Sequence, residues 1–273
     1  MQLRQKPFLS LDCLTSRMKT ATTPKIPDMA IPAPSKTLSA QEPYRATAEF
    51  AGLWMAAPAL LAAPRGDGHC VLVLPGFGAG DQSTQILRSY LSYLGYRSSE
   101  WALGHNLGYR TLGGSEARLR QRVETLAATS GQKISLVGWS LGGVMARHMG
   151  RDHPEWVRQV VPLCAPFMGD PTATSIRQFY ETVSGENLDE PHSRAAWQAN
   201  LAPPSVPTTS IYSRSDGVTA WQNYIEIEIA TAENVEVVGS HLGMLHNVVA
   251  LGVVANRLAQ PENGWKPYAA GRS

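Results

Sequence analysis

Three polar residues of this 273-residue chain are of types that can do covalent chemistry together: Ser140, Asp216 and His241. Ser140 lies in Gly138-Trp139-Ser140-Leu141-Gly142, between the apolar run 134–137 and the stretch 143–149. The first reads as a short buried strand and the second as a helix, so the serine sits on a strand-to-helix turn. Glycine two residues to either side lets the backbone turn that tightly. The turn strains the serine and holds its hydroxyl exposed near the positive end of a helix. A serine hydroxyl is a weak nucleophile at neutral pH. It needs a base, and the base needs an acid to orient it. Asp216, in Ser213-Arg214-Ser215-Asp216-Gly217, follows the apolar run 208–212. His241, in Gly239-Ser240-His241-Leu242-Gly243, follows the run 234–238. In a parallel sheet both residues fall on the edge that carries the serine turn. The chemistry such a set performs is acyl transfer through a covalent serine intermediate.

Other residues compete for these roles. Asp170 also follows a strand and is the alternative acid. Among the seven histidines, His246 begins the last helical stretch, and His148 falls inside the helix after the serine. His153 and His192 sit among polar residues, and His69 precedes a strand. His105 ends a strand and reads first as structural. An oxyanion formed at the substrate carbonyl needs N–H donors. The backbone of Leu141 supplies one. The loop Pro75-Gly76-Phe77-Gly78-Ala79-Gly80 after the first strand supplies the other, with Phe77 N–H as the expected donor.

The elements that must position these residues alternate along the chain. Strands are expected at 70–74, 96–102, 134–137, 157–163, 208–212 and 234–238. Helices are expected at 84–94, 115–129 (capped by Ser115), 143–149 and 246–258. That order predicts an α/β fold with about six mainly parallel strands and helices on both faces. Residues 1–44, rich in Pro, Ser, Thr and Lys, read as a partly irregular arm. A helix is expected over 44–61, broken near Pro58. Residues 45–265 form the main domain and 266–273 a tail. The stretch 167–207 interrupts the alternation, with a helix expected at 175–183, and reads as a small cap over a pocket.

Composition narrows the function classes. The formal net charge is +2 with 17% charged and 43% hydrophobic residues. No basic cluster suited to nucleic acid is present. The three cysteines, Cys13, Cys70 and Cys164, are too scattered for a disulfide framework or a metal site, and Cys70 and Cys164 read as buried thiols. No His/carboxylate cluster with metal-ligand spacing is seen, so neither metal nor cofactor is expected. The apolar stretch 50–63 is shorter than the ~20 residues a membrane span needs. No secretion signal is visible, which points to a cytoplasmic protein.

The segments 74–77, 138–143, 213–217 and 239–244 together resemble the α/β-hydrolase superfamily, in particular its lipase- and esterase-like members, over roughly residues 66–265. The resemblance implies a minimal form of that fold. It also implies nucleophile Ser140, acid Asp216, base His241, and Phe77 and Leu141 as oxyanion donors. One departure is Pro75-Gly76 where many members have His-Gly. The implied activity is hydrolysis of a small-molecule or lipid ester, with Trp139, Phe167, Met168, Trp221, Leu242 and Met244 as candidate apolar lining. A thioesterase or acyltransferase would use the same triad, and a hydrolase-fold binding protein is the non-catalytic alternative.

Overall fold

The computed structural model describes residues 31–112, 116–190 and 201–268. Six strands form one sheet: β1 (Cys70–Leu74), β2 (Arg97–Glu100), β3 (Ile134–Trp139), β4 (Val157–Leu163), β5 (Thr208–Tyr212) and β6 (Ala232–Glu236). Their order is β2-β1-β3-β4-β5-β6, and every neighbouring pair is parallel. Strands β1, β4 and β5 are buried along their whole length. Both their faces are covered, which is why β1 reads as a continuous rather than an alternating apolar run. Strand β2 is the polar edge.

Eight α-helices lie among the described residues: α1 (Lys36–Ala40), α2 (Glu42–Leu61), α3 (Gln85–Tyr93), α4 (Tyr109–Leu112), α5 (Ala117–Ser130), α6 (Leu141–Asp152), α7 (Arg177–Ser184) and α8 (Val248–Leu258). One core layer joins Leu60 of α2, Leu87 and Leu91 of α3, and Leu251 and Val254 of α8 to one face of the sheet through Val71, Val137 and Ile211. The other joins Leu119 and Val123 of α5 and Met145 and Met149 of α6 to Leu72, Leu136 and Val160. The alternation of strand residues between the two layers follows from the two-residue side-chain period of a strand.

The structure departs from the sequence expectations at several element ends. Helix α2 starts at Glu42 and runs unbroken through Pro58. The residues around Pro58 on its outer side are exposed, so losing one N–H there leaves no buried group unsatisfied. Strand β6 starts and ends two residues earlier than expected because its ladder with β5 pairs Thr208 with Ala232 and Tyr212 with Glu236. His246 ends a short 3-10 turn, and Asn247 caps α8 by accepting the N–H groups of Val249 and Ala250. Ser115, the expected cap of α5, lies outside the described residues, as do Cys13 and His192. No helix among the described residues is long and apolar enough to cross a membrane.

The strand order reverses between β1 and β3: the chain moves outward from β1 to β2, then returns across β1 to β3. Loops leaving the carboxyl ends of β1 and β3 therefore diverge to opposite faces and open a crevice. The loop at 75–80 and Ser140 meet at its base, where a Cβ on Gly76 would stand 2.8 Å from the Trp139 ring and 3.2 Å from Ser140 Cβ.

Candidate active site

Ser140 links β3 directly to α6, with φ 53° and ψ −126°. A side chain at positive φ is strained, and here the surroundings leave no alternative. A Cβ on Gly138 would collide with the Gly142 carbonyl oxygen, and one on Gly142 would stand 2.5 Å from the carbonyl oxygens of Leu74 and Pro75. The elbow can approach its own helix and the end of β1 this closely because those positions lack side chains. The Ser140 N–H donates to the Leu163 carbonyl (2.8 Å), which ties the elbow to β4.

His241 and Asp216 reach the same place from the ends of β6 and β5. Ser140 Oγ and His241 Nε2 are 3.1 Å apart, and His241 Nδ1 and Asp216 Oδ2 are 2.7 Å apart. Asp216 Oδ1 accepts the N–H groups of Val218 (2.8 Å) and Thr219 (3.0 Å). Asp216 and His241 are each only 3% exposed, whereas Ser140 is half-buried and open to the crevice. Burial opposes charge on Asp216, but the facing imidazole and these hydrogen bonds outweigh it and hold the carboxyl below its ordinary value. Burial likewise pulls His241 down, but the charge and hydrogen bond of Asp216, with a further contribution from Glu42, raise it above an ordinary histidine. Asp170 is elsewhere: its carboxylate accepts the N–H and hydroxyl of Thr172 in a local turn.

The loop after β1 faces this line across the crevice. Asn106, fully buried, holds it at three points: Nδ2 donates to the Pro75 carbonyl (2.8 Å), the Asn106 carbonyl accepts Gly78 N–H (2.7 Å), and its own N–H donates to Ala79 (2.8 Å). Leu141 opens α6, so its N–H points out of the helix end toward the crevice. The Phe77 ring lies against Phe179 and Tyr180 of α7, at centroid distances of 5.8 and 4.7 Å, so α7 packs against this loop.

The candidate lining residues separate. Trp139 is half-buried and its Nε1–H donates to the His241 carbonyl (3.0 Å), which joins the serine and histidine loops. Met168 is half-buried beside Leu141 and Val144. Leu242 is 41% exposed. Phe167 and Met244 have no exposed surface: Phe167 packs under the Arg147 guanidinium, and Met244 belongs to the core. Trp221 stacks on Tyr212 with Arg214 over its ring. His105 is an exposed loop residue.

Two groups at the site were not assigned from the sequence. Tyr224, fully buried, places its hydroxyl 3.4 Å from His241 Nδ1 and donates to the Thr219 carbonyl. Cys164, at φ 43° after β4, places Sγ within 4.8 Å of ligand atoms of Asp216 and His241. Burial first, and the Asp216 charge next, push this thiol well up, so it stays protonated. Its position at a strand's carboxyl end was the available signal.

Residues 47–257 match the family model described as the alpha/beta hydrolase family. The chain belongs to that family. Solved structures with the same fold include one reported with the metagenome-derived lipolytic enzymes LipS and LipT (18% identity, TM-score 0.55, covering 72% of this chain and 95% of that one). Another is the Bacillus licheniformis lipase BlEst2 (13%, 0.53, 72% and 93%). A third is a lipase-esterase related protein of Clostridium acetobutylicum (15%, 0.52, 72% and 97%). No curated protein matches the chain in sequence. The six-stranded parallel sheet flanked by helices is thus a minimal alpha/beta-hydrolase fold, as the sequence implied.

Proposed function

We propose that this alpha/beta hydrolase is a serine carboxylic-ester hydrolase acting on apolar small-molecule or lipid esters. The observation that carries the reading is the continuous line from Ser140 Oγ through His241 to Asp216, with the serine on a strained turn at the helix end. His241 Nε2 accepts the Ser140 proton as Oγ attacks the ester carbonyl. Asp216, bonded to Nδ1–H, holds the ring and stabilises the imidazolium. The tetrahedral oxyanion takes hydrogen bonds from the N–H groups of Leu141 and Phe77. The intermediate collapses when the bond to the alkoxy group breaks, and His241 protonates that oxygen so that the alcohol leaves. Water then adds to the acyl-serine, gives its proton to His241, and releases the acid as Ser140 recovers the proton.

Apolar substrates suit the walls. Phe77, Trp139, Leu141 and Met168 supply carbon surface near the serine, and α7 packs against Phe77. The test is turnover of p-nitrophenyl esters from acetate to palmitate by wild type and Ser140→Ala. Turnover is expected in wild type, with a rate loss of at least about a thousandfold in the variant. Undiminished turnover in folded Ser140→Ala overturns the reading. A wild type active only on thioesters overturns the choice of ester.

A further inference from the structure

Helix α2 is built the wrong way round for a surface helix. Its three charged residues, Glu42, Arg45 and Glu49, turn toward the protein, while Tyr44, Trp54 and Met55 face outward at 79, 78 and 87% exposure. These charges, Glu42 buried and Arg45 and Glu49 half-buried, meet the two loops that carry Asp216 and His241. Glu42, 2% exposed, accepts Gly217 N–H on Oε1 (2.8 Å) and Leu242 N–H on Oε2 (2.9 Å). Those are the residues immediately after Asp216 and His241. Arg45 pairs with Glu42 Oε1 (2.5 Å) and donates to the Ser215 carbonyl (2.6 Å). Glu49 Oε1 accepts Ser240 N–H (2.6 Å), and Ser39 Oγ donates to the Gly217 carbonyl (2.5 Å). A Cβ on Gly217 would stand 2.6 Å from the Leu38 carbonyl oxygen of α1 and 3.0 Å from Glu42 Cγ, so that glycine admits the end of α1 and the start of α2 to the loop.

We propose that Glu42 is a positioning residue of the active site, one carboxylate stapling the acid-bearing loop to the base-bearing loop and so setting the Asp216–His241 distance. The proposal rests on the assignment of those two residues to the ester-hydrolysing triad. Past the ends of β5 and β6 the two loops meet directly at their bases, where Ser213 Oγ (2.7 Å) and Ser215 Oγ (3.0 Å) donate to the Gly239 carbonyl and Gly239 N–H donates to Ser213 Oγ (3.2 Å); Glu42 adds a second span, on the far side of Asp216 and His241. A carboxylate has two acceptor oxygens with room for both N–H groups, and a buried charge commits fully to its donors. Glu42 also adds negative charge near the imidazolium. The groups facing His241 are Ser140, Asp216, Tyr224, Cys164 and, from α2, Glu42. Arg45 is drawn off by Glu42 and Ser215, and Glu49 by Ser240.

The test compares wild type, Glu42→Gln and Glu42→Asp on a p-nitrophenyl ester, with amide hydrogen exchange at Gly217 and Leu242 of wild type. Gln keeps the length but has one acceptor oxygen and no charge. It should lower kcat about tenfold at little changed KM and move the acid limb of the pH profile down. Asp keeps the charge but is one methylene too short. It should lower kcat while leaving the acid limb in place. Both amides in wild type should exchange at least about a hundredfold more slowly than exposed loop amides. Unchanged kcat and acid limb in folded Glu42→Gln overturns the staple, as does unprotected exchange of the two amides. The exchange measurement decides the matter if the variants do not fold. It also separates the staple from the esterase reading, which fails by its own sign: ester turnover that survives Ser140→Ala.

Discussion

Among the described residues, two serines hydrogen-bond to a histidine that an aspartate holds, and only one of the two is accessible. Ser135 Oγ lies 2.7 Å from His69 Nε2, and His69 Nδ1 meets Asp67, which Arg158 also grips. Ser135 and His69 have no exposed surface, and the serine has ordinary strand backbone inside β3. Ser140 differs by exposure, by positive φ and by the helix end beside it. Pairing alone therefore does not make a nucleophile; access and nearby oxyanion donors do. For the proposed reaction His241 must be neutral to take a proton. Its folded value is raised, chiefly because Asp216 overcomes the burial penalty. The rate should therefore fall as pH drops through a value above the ordinary histidine pKa of about 6.5. A kcat/KM profile for ester turnover measures that limb, and a limb below about 6 contradicts the ion-pair account.

At the scale of elements, the end of β3, the start of α6 and the end of β1 share one tight volume. Gly142 is where they touch, with the carbonyls of Leu74 and Pro75 at 2.5 Å from any added Cβ. Those atoms are backbone, so neither side can yield by rotating a side chain. Gly142→Ala should therefore push the start of α6 away from the loop at 75–80, separating Leu141 N–H from Phe77 N–H. The expected outcome is a loss of about 2 kcal/mol or more in stability and about a hundredfold in kcat. Thermal unfolding and ester kinetics check both. A variant as stable and active as wild type would show that the close approach is incidental. Helix α2 works at this scale too: the N-terminal segment read as an arm contributes Glu42 to the loops of β5 and β6.

Across the whole molecule, a buried ion pair joins the helix after the serine to the segment that follows Tyr224. Arg147 Nε donates to Glu226 Oε2 (2.6 Å) and its Nη2 to Oε1 (3.0 Å), with the two residues 0 and 1% exposed. The same guanidinium reaches the Leu201 carbonyl and lies over the Phe167 ring, 4.5 Å from its centroid. It thus ties α6, the end of the 167–207 stretch and the β5–β6 connection together. Removing one partner strands the other charge in the core. Glu226→Leu should cost about 3–5 kcal/mol by urea unfolding, and adding Arg147→Met should recover most of that loss. A single variant within about 1 kcal/mol of wild type would contradict this account.

The parallel sheet, its helices and the serine elbow were legible in the sequence because each is a local pattern. Apolar runs of strand length, helical spacing and glycine two residues from a serine act within one element. Asp216 and His241 were legible for a related reason: each follows a strand, so topology alone assigns its edge of the sheet. What escaped were contacts made across long sequence separations by residues with no local signature. Glu42 falls in the stretch 1–44, read as a partly irregular arm, and no local pattern singles out Arg147 or Glu226. Phe167 and Met244, expected near the pocket, lie instead in the interior. Helical and strand periods state which residues share a face. Which neighbour covers that face depends on how the elements pack, and the packing alone turned the charges of α2 inward.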